Sequence, residues 1–194
     1  MVSSLNLFFL KSISKIALFF IVLLVSAQLF AQHHSQLSVE ANPVTKVLNV
    51  QQEITFFNTT NDTLSSIVLN DWNNAYSDKN TPLGRRFSDE FYRGFHLAKE
   101  EERGGTKNLT IITSDKSFLS WERTKKNPDY IEVQLREKLA PKQRITLYLT
   151  YTVKVPSDKF TKYGYTDAGG MNLKDWYLTP ARYENNAFVT YSNN

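Results

Sequence analysis

Few residues in this chain are equipped for chemistry. Of its 194 residues three are histidines (His33, His34 and His96), and there is no cysteine. An imidazole at the third position of a free amino terminus can join the terminal amine in square-planar copper(II) ligation. A mature chain beginning Gln32-His33-His34 would offer that arrangement, which makes His33 and His34 the copper candidates. The competing reading is a tail whose terminal glutamine cyclises and blocks the amine. His96 falls in a segment with helical spacing and reads as a packed or solvent-facing ring. The zinc-peptidase pattern H-E-x-x-H and the nucleophile elbow G-x-S-x-G are both absent from the sequence. Asp89-Glu90 and Glu100 to Glu102 read as a solvated acidic face. Asn70-Asp71 and Asn73-Asn74 carry oxygens but not the calcium-loop order, so loop capping is expected of them. No catalytic residue and no resident metal are assigned. The aromatic residues of the last third, Trp176, Tyr177 and Tyr183 among them, could stack on sugars or meet another domain.

The elements that must position these groups begin after residue 31. Lys11 and Lys15 precede an unbroken apolar run over residues 16–25, and the small residues Ser26-Ala27 and Ala31 follow. That is the pattern of a secretory signal peptide cleaved after Ala27 or after Ala31; a retained amino-terminal anchor is its rival. The expected location is therefore exported: periplasmic, outer-envelope or secreted in a bacterium. The absence of cysteine also suits a bacterial envelope. Removing residues 1–31 takes away two lysines and no acid from a net charge of +4. So slight an excess argues against nucleic acid, and against a membrane surface after cleavage. Three Asn-x-Thr matches, at Asn58, Asn61 and Asn108, read as chance in an Asn- and Thr-rich chain.

Beyond the signal peptide the chain alternates with period two. Residues 48–72 read as a β-hairpin, with Leu48, Val50, Ile54 and Phe56 on its apolar face and residues 58–62 as its turn. Residues 108–113, 118–121 and 130–135 read as short strands. Strict alternation over residues 145–155 gives the strongest strand in the chain, ended by Pro156. Residues 85–103 change period: Phe87, Phe91 and Phe95 lie four apart, which predicts one amphipathic helix with Ser88 as N-cap and Gly104-Gly105 as its stop. The expected fold class is all-β, a saddle-like β-sandwich with one inserted amphipathic helix. The expected domains are a signal peptide over 1–31, a β-domain over 32–156 and a looser, aromatic-rich ending over 157–194. So many large rings without an evident core to fill suggest that a neighbour covers them.

The order of five stretches resembles the N-terminal domain of the aminopeptidase N family of gluzincin zinc metallopeptidases, particularly its exported bacterial members. They are VLNVQQEITFFN (47–58), NTTNDTLSSIVLN (58–70), DWNNAYSDKNTPLGRRF (71–87), IEVQLREKLAPKQRITLYLTYTVKVP (131–156) and KFTKYGYTDAGGMNLKDWYLTPARYE (159–184). The resemblance covers essentially the whole chain after residue 31. It implies a non-catalytic domain that packs on a C-terminal catalytic domain and walls a cleft for peptide substrates. Zinc, the H-E-x-x-H helix and the general-base glutamate would belong to that missing catalytic domain, so this chain would be a fragment of the parent enzyme. Family members present a Gln or Glu to the substrate amine from a stretch resembling T-Q-x-E. The corresponding LTPARYE (178–184) lacks the Gln, which leaves Glu184 as the carboxylate candidate. Trp176, Tyr177 and Tyr183 are the cleft-wall candidates, with packing at the domain border as the rival role. The alternative function is a free-standing secreted β-sandwich that binds carbohydrate or protein through its aromatic end.

Overall fold

A computed structural model of the chain describes residues 33–123 and 126–190. The signal peptide expected over residues 1–31 lies outside the described residues. Twelve strands and four short helical segments are present among those described. The first four-stranded sheet has the order β1-β2-β7-β4, built from β1 (His34–Asn42), β2 (Val47–Phe57), β7 (Arg144–Lys154) and β4 (Gly105–Thr113). The second has the order β10-β3-β6-β5, from β10 (Thr179–Pro180), β3 (Leu64–Asn70), β6 (Tyr130–Leu139) and β5 (Trp121–Glu122). Two small two-stranded sheets complete the set: β8 (Gly164–Tyr165) with β9 (Met171–Asn172), and β11 (Tyr183–Glu184) with β12 (Ala187–Phe188).

The alternation seen in the sequence is what fills the core. Leu48, Val50 and Ile54 of β2, Leu147, Leu149 and Val153 of β7, Ile67 and Leu69 of β3, and Ile131 and Val133 of β6 are all buried in one cluster. Each fully buried aliphatic side chain contributes about 1.5–3 kcal/mol relative to exposure. The alternate residues of β2 and β7, such as Asn49, Gln51, Tyr148 and Thr150, face outward and are exposed.

The expected all-β, saddle-like sandwich with one inserted helix is not the fold. Four separate open sheets stand beside helical segments in a mixed α and β structure. The single predicted helix is four pieces: a 3-10 turn (Trp72–Tyr76), α1 (Pro82–Asp89), α2 (Gly94–Leu97) and a second 3-10 turn (Glu100–Glu102). Thr81, not Ser88, caps α1, its hydroxyl accepting from the Gly84 amide at 3.1 Å, with Pro82 at the first helical position. Periodicity misled because Phe91 sits at φ 60°, which ends the first helix and turns its ring outward to 90% exposure. Only Phe95 of the expected stripe is fully buried. Gly105 begins a strand instead of stopping a helix. No helix among the described residues is long and apolar enough to cross a membrane.

The expected hairpin over 48–72 is also corrected. Strands β2 and β3 enter different sheets, and so do β6 and β7. Each pair is an arch over the core, with apolar faces turned toward each other. Asn58, fully buried, fastens both arches. Its side-chain amide donates to the Asp62 carbonyl at 2.8 Å and the Leu139 carbonyl at 3.0 Å. Its backbone amide donates to Gln143 O and its carbonyl accepts from the Lys142 amide, both at 2.9 Å. With its side chain committed in this way, Asn58 is no glycan acceptor in the folded chain. Asn58→Ala is expected to leave two carbonyls without partners and to lower stability by about 2–4 kcal/mol, read from urea denaturation; an unchanged midpoint would contradict the fastening role.

Candidate functional site

One cleft, about 670 Å³, is built by the Trp72–Tyr76 turn, Leu83 of α1 and the segments at 161–163 and 171–175. Its walls are Trp72, Tyr76, Leu83 and Met171, and its exposed rim carries Lys162, Asn172, Lys174 and Asp175. The Tyr163 hydroxyl donates to Asn73 Oδ1 at 2.6 Å behind the wall, and the Tyr76 and Tyr163 rings lie 5.6 Å apart. Burial raises both phenols above their ordinary pKa, so neither serves as a base near neutrality. Such a cleft can hold a ring or an extended chain by apolar contact and rim hydrogen bonds.

A polar hub underlies this region. Asp71, 1% exposed, accepts from the Thr106 hydroxyl at 2.7 Å and pairs with the Arg123 guanidinium. Arg123 also donates to the Pro128 carbonyl, as does Asn74 Nδ2, both at 2.7 Å. Burial raises the Asp71 carboxyl, against the pull of Arg123 and Thr106. Asp129, 2% exposed, is raised by burial and by the Asp71 charge, and its Oδ1 has no partner. The asparagines and aspartate around 70–74 are thus structural ties. They bind loop to loop over long range and not by the local capping expected: Asp71, at the N-cap of the Trp72–Tyr76 turn, makes no side-chain cap bond.

The residues expected to line a substrate cleft are distributed over separate contacts. Trp176 and Tyr177 are half-buried and pack edge to face, with ring centroids 5.5 Å apart. The Tyr183 hydroxyl donates to Asp62 Oδ2 at 2.9 Å, and its ring packs on Phe188. Glu184 is exposed and pairs with Arg182 at 2.9 Å. None of the four borders the Trp72–Tyr76 cleft. Of the copper candidates, His33 stacks on Phe56 and its Nδ1 accepts from the Phe57 amide at 3.3 Å, while burial lowers its pKa. His34 begins β1 and is exposed. No group of three or more His, Asp or Glu stands close enough to hold a metal among the described residues. Sequence reasoning passed over Trp72 and Tyr76 as cleft residues, because a five-residue 3-10 turn is too short to give a periodic signal.

One buried knot joins the distant parts of the chain. Gln52 Nε2 donates to the Leu178 carbonyl at 2.7 Å, and the Tyr151 hydroxyl donates to Gln52 Oε1 at 2.7 Å. The Leu178 amide in turn donates to the Tyr151 oxygen at 3.3 Å. Gln52, Tyr151 and Leu178 are each no more than 3% exposed, so water does not substitute for these bonds. Burial raises the Tyr151 phenol well above its usual pKa, and it stays a neutral donor.

No protein-family model matches the chain, and no curated protein matches it in sequence.

Two outcomes follow from the buried polar groups. Gln52→Leu removes the centre of the knot and is expected to cost about 1–3 kcal/mol, with faster amide exchange concentrated at 176–181; uniform exchange would deny the knot its anchoring role. Asp129 binds its proton more tightly folded than unfolded, so its contribution is greatest below the ordinary carboxylate range of about 4 and declines as pH rises through the raised value. Asp129→Asn is therefore expected to match the parent chain's urea midpoint near the acid end of that range and to exceed it at neutral pH. A parallel pair of pH curves would contradict this.

Proposed function

We propose that this chain is the N-terminal domain of an exported zinc aminopeptidase of the aminopeptidase N type, a fragment without catalytic groups of its own. Its role is to pack on a catalytic domain and form one wall of the cleft that admits peptide amino termini. Zinc and the hydrolytic glutamate belong to the partner domain. The observation that carries the reading is the buried knot of Gln52, Tyr151 and Leu178. These residues come from three of the stretches that resemble the family, 47–58, 131–156 and 159–184. Three stretches far apart in sequence thus serve one structural purpose, as expected if they belong to one domain pattern. The knot also fixes the start of LTPARYE, with β10 paired to β3 at Asn70 and Leu69. That segment is the one the resemblance directs toward the substrate.

A secreted β-rich module that binds carbohydrate or protein is the second reading. The Trp72–Tyr76 cleft favours it, since half-buried rings beside amide and amine rims suit a sugar face or a peptide.

The first reading is tested at the locus and in the tube. The nucleotide sequence past codon 194 is expected to encode H-E-x-x-H, in the same frame or just beyond a frameshift. The purified chain alone is expected to leave alanine p-nitroanilide intact, and to raise its hydrolysis when mixed with the zinc-loaded downstream domain. A stop codon followed by no such motif, or turnover by the purified chain alone, overturns the proposal.

A further inference from the structure

The two main sheets have four outer edges, and three of them are closed to further pairing. Strands β5 and β10 are two residues long, and β10 contains Pro180, which has no amide hydrogen to offer. Strand β4 is broken by a register shift between Lys107 and Thr110. Its two ends are also covered. The Thr106 amide donates to Asn74 Oδ1 at 3.3 Å, and Ile112 bridges to Phe118, with the Leu119 amide donating to Ile111 O at 2.9 Å. These are the usual devices by which proteins prevent strand addition.

Strand β1 has none of them. It runs nine residues, His34 to Asn42, in unshifted register with β2, and it contains neither proline nor lysine. Among the described residues no other strand pairs with its outer edge. We propose that this edge is the site at which a second copy of the chain docks, β1 against β1 antiparallel, joining the two β1-containing sheets into one eight-stranded sheet.

The sequence of the strand is complementary to itself in that arrangement. A two-fold axis at Ser38 pairs all nine residues. Ser38 then faces the partner's Ser38, Leu37 faces the partner's Val39, Gln36 the partner's Glu40, Ser35 the partner's Ala41 and His34 the partner's Asn42. Apolar meets apolar on the side of the sheet that carries Val50 and Leu48. Val39, 41% exposed in the single chain, gains the cover of the partner's Leu37. On the other side the carboxylate of Glu40 meets an amide, and the two Glu40 carboxylates stand about four residues, or 13 Å, apart along the strands. No like charges are opposed, which is the condition for cross-strand pairs to stabilise. The inference does not depend on the aminopeptidase reading.

The absence of cysteine supplies the test. Directly opposed strand residues lie about 4.5–5.5 Å apart at Cα, within disulfide reach, whereas residues about 13 Å apart are beyond it. The purified chain is expected to sediment as a dimer at high micromolar concentration. Ser38→Cys is expected to crosslink the two copies under mild oxidation, and Glu40→Cys is not. Val39→Lys, at an exposed position and with circular dichroism to confirm the fold, is expected to weaken the dimer by at least about tenfold. A monomer at that concentration overturns the proposal. So does a dimer in which Ser38→Cys and Glu40→Cys crosslink alike, since its contact then lies elsewhere.

Discussion

Asn58 holds the position on which the two main sheets depend. Two chain crossings, from β2 to β3 and from β6 to β7, must leave one sheet and enter the other across the same end of the core. Each crossing exposes backbone carbonyls to an apolar interior, and a buried carbonyl without a donor is costly. A single side-chain amide at 0% exposure supplies donors to both crossings, through Asp62 O and Leu139 O. A residue with one polar hydrogen could not do so, and a charged one would require a counter-ion in the same space. With the crossings fixed together, β2 and β7 can lie in unbroken register over eleven residues each. Their inward residues then meet those of β3 and β6 in one core.

The second constraint is the way buried polar groups are used at the opposite side of the chain's order. Asp71, Asn73 and Asn74 stand within four residues of one another, yet their partners are Thr106, Arg123, Pro128 and Tyr163. A short polar turn thus gathers three later segments. The ion pair of Asp71 and Arg123 is desolvated, so it contributes specificity of docking more than net stability. The Gln52 knot works alike at the other end, closing the last ordered third onto the first long strand pair. Between them these two clusters explain why residues 157–190, with few regular elements, still pack on the core of the strands before them.

Much of the strand content was legible in the sequence, because burial of one sheet face forces period-two alternation. Residues 145–155 and 47–57 carry it, and both are strands with the inward faces foreseen. Strand pairing was not legible. A six-residue polar link reads as a hairpin turn or as an arch with equal ease, and only the use of Asn58 by Leu139, eighty-one residues away, decides it. The helix was misread because Phe87, Phe91 and Phe95 satisfy the period while Phe91 adopts a left-handed backbone. The Asn185-Asn186 turn of the last hairpin was passed over, although both residues adopt positive φ, as asparagine pairs at tight turns do. Of the cleft residues, Trp72 and Tyr76 gave no periodic signal, since a five-residue 3-10 turn is too short to show one.

The aromatic ending shows how composition and packing can point apart. Rings without an evident core suggested a covering neighbour. In the structure Phe160, Tyr163 and Leu178 are buried, while Trp176, Tyr183 and Phe188 pack half-buried against the same core as β2 and β7. These rings are accounted for within the chain, so burying them is no longer a reason to invoke a second domain. The argument for a neighbour passes instead to surfaces that remain unsatisfied: the cleft beside Trp72, and the outward row of β1. A domain that fills its own core yet leaves a nine-residue strand edge unblunted has its interior settled and its partners still to meet.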